Sequence, residues 1–460
     1  MICLKIKKVF LFCLSLGIIA FIVYAGFYFL FLSNNPCVLM YDSGHYHEGA
    51  IALIQQGAYV SDSGVPLFYR LPGYPFFLAI LYWITNYSVR GALLLHIVFA
   101  AMLPILIWFV VLRLTGRRRL AGLTAWLSAC APAFMIFSGL VMSEILSTWL
   151  FLIFLIFVLC ALDDPNRLCF FIGSGIFLGV LSLVRPVGHL LVPFAVGFMI
   201  IFLATSWRQR LLSIVIFVVS WVAAITPWVL RNFMLTGHLF FHTLSGPHFI
   251  NHVALRLVAA GEQISYSDAK SSLYERLKEL EIENREVLGH GLSEIELANL
   301  YERETISIIK RYPAQFLHLT AINCFKTMFS LYSSELLVID AGGALPSYDR
   351  TGLMVKIKRF LMPTVNNSLI IGVIYLELVL LLLTIVGVLL ATVRFWRILF
   401  QPRIMLVVGL MVFFVGISLA CGYARLRIAL EPFYLLAAAY ALNELSLWYQ
   451  RSVSGRLLSK

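Results

Sequence analysis

Charged side chains are scarce in this chain, and several of them flank long apolar runs. Only 13% of the 460 residues are Asp, Glu, Lys or Arg. A carboxylate can take the proton of an attacking hydroxyl, and guanidinium groups can bind a phosphate and stabilise the charge that it gains on leaving. The residues that could do this chemistry are two acids, Asp42 and Glu144, and five arginines, Arg70, Arg185, Arg231, Arg425 and Arg427. Their types favour transfer of a group from a phosphate leaving group.

The composition excludes a water-soluble domain. Hydrophobic residues make up 61% of the chain, and the mean hydropathy is +0.91. So few charges could not cover the surface of a soluble protein of this length, which indicates a polytopic helical membrane protein. The formal net charge of +12 comes largely from short Lys and Arg clusters between apolar runs. That pattern fixes topology in a bilayer, and a nucleic-acid partner is therefore not expected.

The basic clusters define the predicted topology. Lys5, Lys7 and Lys8 place the N-terminus in the cytoplasm, and the next apolar run is long enough to cross about 30 Å of hydrocarbon. Asp42 then lies on the outer face. We predict an all-α, polytopic transmembrane helical bundle of about ten spans, with both termini inside. The predicted spans are 9–32, 91–114, 120–140, 145–162, 168–184, 188–206, 211–230, 367–393, 404–421 and 428–447.

Three regions follow from this topology. Residues 1–231 form an N-terminal transmembrane catalytic module, whose first outer loop, 33–90, carries two interfacial helices, 45–57 and 72–86. The hydrophilic region 232–366 is expected to form a small helical periplasmic subdomain, because residues 266–286 and 293–312 have helical spacing of apolar and charged residues. Residues 367–460 supply the C-terminal transmembrane helices.

All seven candidate acids and arginines then lie at the outer membrane face. Charged groups at membrane depth are costly and tend to mark function. The alternative is that they are interfacial residues whose charged ends reach water. For Asp42 and Glu144 a further alternative is a helix cap or a first-turn acid, and for Arg70 it is an anchor of the second interfacial helix.

Several motifs in this order resemble the GT-C superfamily of integral-membrane glycosyltransferases. The resemblance is especially to the bacterial branch related to protein O-mannosyltransferases and lipid A aminoarabinose transferases. The residues that carry the resemblance are Asp42-Ser43 with Tyr46 and Ala50, Arg70–Pro75, Ser143-Glu144, Pro227–Phe233 with Thr236-Gly237, and Arg425–Pro432.

The resemblance implies a reaction and roles for single residues. Asp42 would be the general base of an inverting transfer from a polyprenyl (undecaprenyl) phosphate sugar to an acceptor hydroxyl. The acceptor would be a cell-envelope glycan, lipid or protein at the periplasmic face of the bacterial inner membrane. Glu144 would position the acceptor or a metal, and the arginines, with Tyr46 and His45, would bind the donor phosphate or substrate. Some members have two adjacent acids in the first loop, whereas Ser43 follows Asp42 here.

No obligatory metal is predicted. His45 and His47 are two residues apart, and on a helix such side chains point apart. His238, His242, His248 and His252 cluster after Arg231. They could contact substrate, hold a divalent metal together with Glu144, or belong to a polar loop.

Two functions of other classes compete with glycosyl transfer. A membrane transporter or lipid flippase predicts ionisable residues or broken helices near mid-membrane and repeated halves, and neither is clear in the sequence. A non-catalytic assembly scaffold would tolerate Asp42→Asn.

Overall fold

The apolar runs fold into helices, because a backbone in hydrocarbon must satisfy its own hydrogen bonds. The computed structural model describes residues 2–34, 42–340, 368–396, 400–418 and 422–458, and side chains over those ranges from residue 7 to residue 451. Its helices are α1 Ile2–Phe27, α2 Asp42–Gln55, α3 Gly73–Ile84, α4 Val89–Ala100, α5 Leu103–Thr115, α6 Arg118–Ala129, α7 Pro132–Ser138, α8 Glu144–Asp163, α9 Leu168–Val184, α10 Val187–Phe202, α11 Trp207–Thr236, α12 Ser245–Phe249, α13 Leu255–Gly261, α14 Tyr266–Leu288, α15 Glu294–Arg311, α16 Pro313–Phe329, α17 Ser333–Asp340, α18 Ser368–Phe395, α19 Pro402–Gly416 and α20 Glu431–Leu458.

The predicted all-α polytopic class is confirmed. The only extended pairing in the described ranges is an isolated bridge between Val60 and Pro66. Among the described residues, five helices are long and apolar enough to cross a membrane, or six if the pair α6 and α7, bent by 45°, is one span. Each of the ten predicted spans coincides with a helix, a bent pair or two consecutive helices. Because α9, α10 and α19 are shorter than a full span, the count of ten stays a prediction.

The first outer loop contains the two predicted helices, α2 and α3, which pack against each other. On α3, Tyr74 and Tyr82 are buried, whereas Phe76, Ile80 and Trp83 are exposed. An exposed face of large apolar side chains suits contact with lipid. The start of the loop, residues 35–41, lies outside the described residues.

Small residues let the long helices approach closely. Gly175 brings α9 against α11, where a Cβ atom would lie 2.4 Å from the carbonyl oxygen of Phe217. Gly387 brings α18 against α20, where a Cβ atom would lie 1.9 Å from the carbonyl oxygen of Ala437. Close approach at small residues is the usual way in which helices associate in lipid.

The outer region has a hydrophobic core of its own. Ile250, Val253 and Leu257 pack with Leu273 and Ile308, apart from the main core of the bundle. A capping box formed by Ser293 and Glu296 starts α15. This packing supports the proposed division of the chain, although α11 continues through Arg231 to Thr236 and residues 341–366 lie outside the described residues.

Candidate active site

Five of the predicted residues meet at one end of the bundle, each at or beside the end of a helix. Asp42 begins α2, Glu144 begins α8, and Arg185 follows the last residue of α9. Arg70 lies in the connection between α2 and α3, and Arg425 lies in a 3₁₀ helix, Ala424–Leu430, just before α20. We refer to these five residues as the acid–arginine cluster.

Arg425 joins the two acids of the cluster. Its Nη2 donates a hydrogen bond to Asp42 Oδ2 at 2.7 Å, and its Nε donates to Glu144 Oε1. Arg70 Nη2 donates to Asp42 Oδ1 at 2.5 Å. Arg185 Nη1 donates to Glu144 Oε1 at 2.7 Å. Each of the two acids is therefore bonded by two arginines, and Arg425 is the arginine that both acids share.

The cluster combines deep burial with an excess of positive charge. The Glu144 side chain is 0% exposed, Arg425 12% and Asp42 23%. Three guanidinium groups face two carboxylates, which leaves one positive charge over when all are ionised. Within the described residues, Glu144 Oε2 and Arg70 Nε are buried and have no hydrogen-bond partner. The spare positive charge and the Arg70 Nε–H donor suit a bound anion, whereas Glu144 Oε2 can only accept a hydrogen bond from a donor group.

The arginines control the protonation of Asp42. Burial by itself raises the pKa of a carboxyl group. The positive charges of Arg425 and Arg70 outweigh burial and lower the pKa of Asp42 to about 2. In this arrangement Asp42 is ionised at neutral pH, and it is a weak base for as long as both arginines stay on it.

Tyr46 and His45 lie beside the cluster. Tyr46 is buried, with its ring edge-on to Tyr74 at 4.9 Å and 5.9 Å from the guanidinium carbon of Arg70. The guanidinium of Arg70 also lies 4.8 Å from the ring of Tyr69, against which the exposed His45 packs at 6.1 Å. Neither residue is one of the hydrogen-bond partners described for the two acids, so their roles in substrate binding stay predictions.

Arg231 does not join the cluster in the described part of the chain. Its guanidinium donates to the carbonyl oxygens of Tyr59 at 2.8 Å and Leu67 at 3.0 Å. The rings of Trp228 and Phe68 lie 4.7 and 5.1 Å from its guanidinium carbon. Arg231 therefore attaches the connection between α2 and α3, which contains Arg70, to α11. The sequence predicts a phosphate ligand at Arg231 instead.

We expect Arg231→Lys to lower stability and to leave donor affinity nearly unchanged. Lysine keeps the charge but cannot hold two carbonyl groups with a planar fork, and for a partly buried group the loss is about 1–2 kcal/mol. Thermal unfolding in detergent measures the first effect, and the KM for donor measures the second. Arg208→Lys, at the exposed start of the same helix, is the control. A large rise in KM without loss of stability would identify Arg231 as a phosphate ligand.

Arg427 also lies away from the two acids. It is 4% exposed, and its Nη1 donates to the carbonyl oxygens of Thr327 at 2.8 Å and Ser330 at 2.7 Å. These partners belong to α16 and to the residue that follows it. The predicted role of Arg427 in phosphate binding has no support in this arrangement.

Glu335, on α17, is a third acid near the cluster that was not predicted. Burial raises the pKa of Glu335, against the opposing effect of Arg425, and Asp42 and Glu144 are near enough to interact with it electrostatically. Its signal in the sequence is an acid just beyond an apolar helix, the same signal that marked Asp42.

The predicted histidine cluster separates into pairs. The rings of His248 and His252 lie 4.5 Å apart, and the ring of His242 lies 5.6 Å from that of His189. Among the described residues no group of three or more His, Cys, Asp or Glu side chains is placed to hold a metal ion. Two ligands do not make a tetrahedral site. Glu144 is moreover bonded to two arginines, so a divalent metal stays a prediction without support here.

Comparison of the sequence with family models and with curated proteins gives no match, whereas comparison with solved structures does. The archaeal oligosaccharyltransferase AglB from Archaeoglobus fulgidus, solved with an inhibitory peptide and a dolichol-phosphate, aligns with a TM-score of 0.52 and 14% identity, over 96% of this chain and 52% of AglB. AglB solved with Zn and sulfate aligns with a TM-score of 0.51 and 14% identity, over 96% of this chain and 50% of that one. ArnT from Cupriavidus metallidurans, bound to undecaprenyl phosphate, aligns with a TM-score of 0.42 and 14% identity, over 95% of this chain and 78% of ArnT.

The likeness to AglB establishes the fold. AglB is a GT-C superfamily membrane glycosyltransferase, and the predicted GT-C resemblance is thereby confirmed at the level of architecture. This chain is therefore a polytopic membrane protein with the GT-C fold. It spans about half the length of the oligosaccharyltransferase that it matches.

Proposed function

We propose that this protein is a glycosyltransferase that moves a sugar from a polyprenyl phosphate donor to an acceptor hydroxyl at the membrane surface. The observation that carries the proposal is the acid–arginine cluster, in which Arg425 links Asp42 to Glu144 at one end of a GT-C bundle. Undecaprenyl phosphate is the bacterial carrier that we propose for the donor. The dolichol-phosphate in the AglB complex is a carrier of the same chemical class.

The proposed step is a single displacement that inverts the anomeric carbon. The acceptor oxygen attacks that carbon, and the bond between the carbon and the phosphate oxygen breaks. The acceptor proton passes to Asp42, and the polyprenyl phosphate leaves with the negative charge that Arg70, Arg185 and Arg425 can stabilise. Asp42 later returns the proton to water. Glu144, fully buried, holds Arg185 and Arg425 in place.

Donor binding would activate the base. In the present arrangement Arg70 and Arg425 bond Asp42 directly. A donor phosphate that takes over one of these arginines removes a stabilising partner from the carboxylate, so the pKa of Asp42 rises. Asp42 therefore becomes a stronger base only when the donor, with its leaving group, is bound.

We expect this coupling in the pH dependence of the reaction. The kcat/KM value reports the free protein and kcat the donor complex. With a pKa of about 2, Asp42 should leave kcat/KM flat on the acid side down to about pH 4, whereas kcat should begin to fall at a higher pH. Because the pKa of Glu335 is raised, the profile is also measured on Glu335→Gln. The acid limb of kcat should persist there, and an acid limb of kcat at or below that of kcat/KM would contradict the coupling.

Transfer and translocation give different products, which provides the test of function. The purified protein is reconstituted in liposomes with undecaprenyl phosphate that carries a labelled hexose, together with envelope lipids, glycans and proteins as acceptor fractions. Transfer moves the label to one fraction and releases undecaprenyl phosphate, whereas a flippase moves intact donor across the bilayer. Mass spectrometry of envelopes from cells with and without the protein then identifies the acceptor by the sugar that it loses. Movement of donor without release of carrier would overturn the proposal.

The remaining assignments follow from the predicted topology. The proposed location is the bacterial inner membrane, with the cluster on the periplasmic side. Residues 232–366 are the proposed acceptor-selecting region, because His248 and His252 lie near enough to Asp42 to interact with it electrostatically.

A further inference from the structure

A second buried polar network lies next to the acid–arginine cluster. It joins Glu377 of α18, Arg427 of the 3₁₀ helix, Glu431 of α20 and Tyr332 of the turn between α16 and α17. We refer to these four residues as the Glu377 network. The catalytic step proposed above uses none of them.

Glu377 bonds the backbone of the turn. One carboxylate oxygen accepts the N–H of Tyr332 and the other accepts the N–H of Ser333, both at 2.8 Å. The side chain is 5% exposed and lies on a candidate membrane span. An ionisable group at such a place is costly unless it is fully bonded. Both of its oxygens here serve to hold the start of α17.

Arg427 bonds carbonyl groups of the same turn and of the end of α16. It donates to the carbonyl oxygens of Thr327 and Ser330, and its guanidinium carbon lies 4.8 Å from the ring of Tyr332 and 5.0 Å from that of Tyr434. The hydroxyl of Tyr332 donates to Glu431 Oε2 at 3.0 Å. The turn is therefore fixed to α18, to the 3₁₀ helix and to α20.

Arg427 and Arg425 belong to one short helical element. Both lie in the 3₁₀ helix Ala424–Leu430. Just before it, Gly422 packs so closely on α16 that a Cβ atom would lie 2.2 Å from the carbonyl oxygen of Asn323. A displacement of the 327–333 turn would move this element and, with it, the arginine that joins Asp42 to Glu144.

We propose that Glu377 is a positioning residue that sets the place of Arg425, acting through the 327–333 turn and Arg427. The proposal rests on the proposed function, because the ligand that Arg425 is set to meet is the phosphate of the polyprenyl carrier. A shift of about 1 Å at such a group is enough to cost about 10²-fold in a positioned reaction.

The test is a double-mutant cycle on undecaprenyl phosphate binding by the full-length protein, measured by quenching of tryptophan fluorescence. Glu377→Gln puts an amide NH₂ against a backbone N–H and should weaken binding about tenfold, in keeping with a coupling of ordinary size. In an Arg425→Lys background the same change should add almost nothing, because its effect passes through Arg425. Additive losses would overturn the proposal.

Two further variants separate positioning from loss of fold. Thr384→Val removes the 3.0 Å hydrogen bond from Thr384 to the carbonyl oxygen of Tyr434. This bond joins α18 to α20, the helices that contain Glu377 and Glu431. It should lower the unfolding temperature and leave binding unchanged. Should Glu377→Gln not fold, Tyr332→Phe removes only the bond to Glu431. Its smaller loss should also vanish beside Arg425→Lys, and an undiminished loss there would overturn the proposal.

Sugar transfer is measured on the same samples. Non-additive binding in a protein that transfers no sugar would leave the positioning role standing and remove the glycosyl-transfer proposal. Transfer with additive losses would do the reverse. Absence of undecaprenyl phosphate binding by the unsubstituted protein would overturn both.

Discussion

Asp42→Asn is expected to lower kcat by about 10²–10⁴-fold, the usual contribution of a positioned general base. The amide has the shape of the carboxylate but cannot take the proton from the attacking hydroxyl. It also removes the negative charge that holds Arg70 and Arg425, so binding of undecaprenyl phosphate should be kept or tightened. Kinetics of the reconstituted protein together with a binding titration measure both effects.

Glu48→Gln is the matched control, since Glu48 is an exposed acid on the same helix. It should change neither constant. A scaffold, or a base other than Asp42, predicts undiminished transfer by Asp42→Asn. Loss of transfer together with loss of carrier binding would also count against the assignment, because it would indicate a disrupted site.

The helices and the positions of Asp42 and Glu144 could be predicted because both depend on local sequence. Apolar runs of sufficient length determine where helices lie in a membrane protein. Asp42 and Glu144 each begin a helix, where an acid is favoured by the orphan N–H groups and the helix dipole. A single topology was then enough to bring them to one end of the bundle.

The partners of the arginines could not be predicted, because tertiary contacts decide them. Arg425 and Arg427 stand two residues apart in a 3₁₀ helix, which has three residues per turn, so their side chains leave in different directions. One reaches the acids, and the other reaches the carbonyl groups after α16. Arg231 has the same helix-end signal as Arg185, yet it meets the carbonyl groups of the first outer loop. Sequence position gives the membrane face of such a residue but not the group that it meets.

Arg425→Gln is expected to be the most destabilising single change in the cluster. It removes the group that bonds both acids and leaves the fully buried Glu144 with Arg185 alone. Removing one partner of a buried ion pair costs about 3–5 kcal/mol, and here each of the two acids loses one of its two arginine partners. Thermal unfolding in detergent should show this loss, and transfer should fall with it, since a donor-phosphate ligand is also missing.

The double variant Arg425→Gln/Glu144→Gln separates these two effects. The double variant removes both partners of the Arg425–Glu144 pair, which costs less than leaving one of them buried without the other, so part of the lost stability should return although Arg185 loses its acid. Transfer should not return, because neither substitution restores a cation for the leaving phosphate. Arg113→Gln, which breaks the exposed pair with Asp163 at the 3.0 Å contact, is the control and should cost little. Recovery of both stability and transfer would mean that Arg425 serves the fold alone, and the proposed mechanism would then lose its central cation.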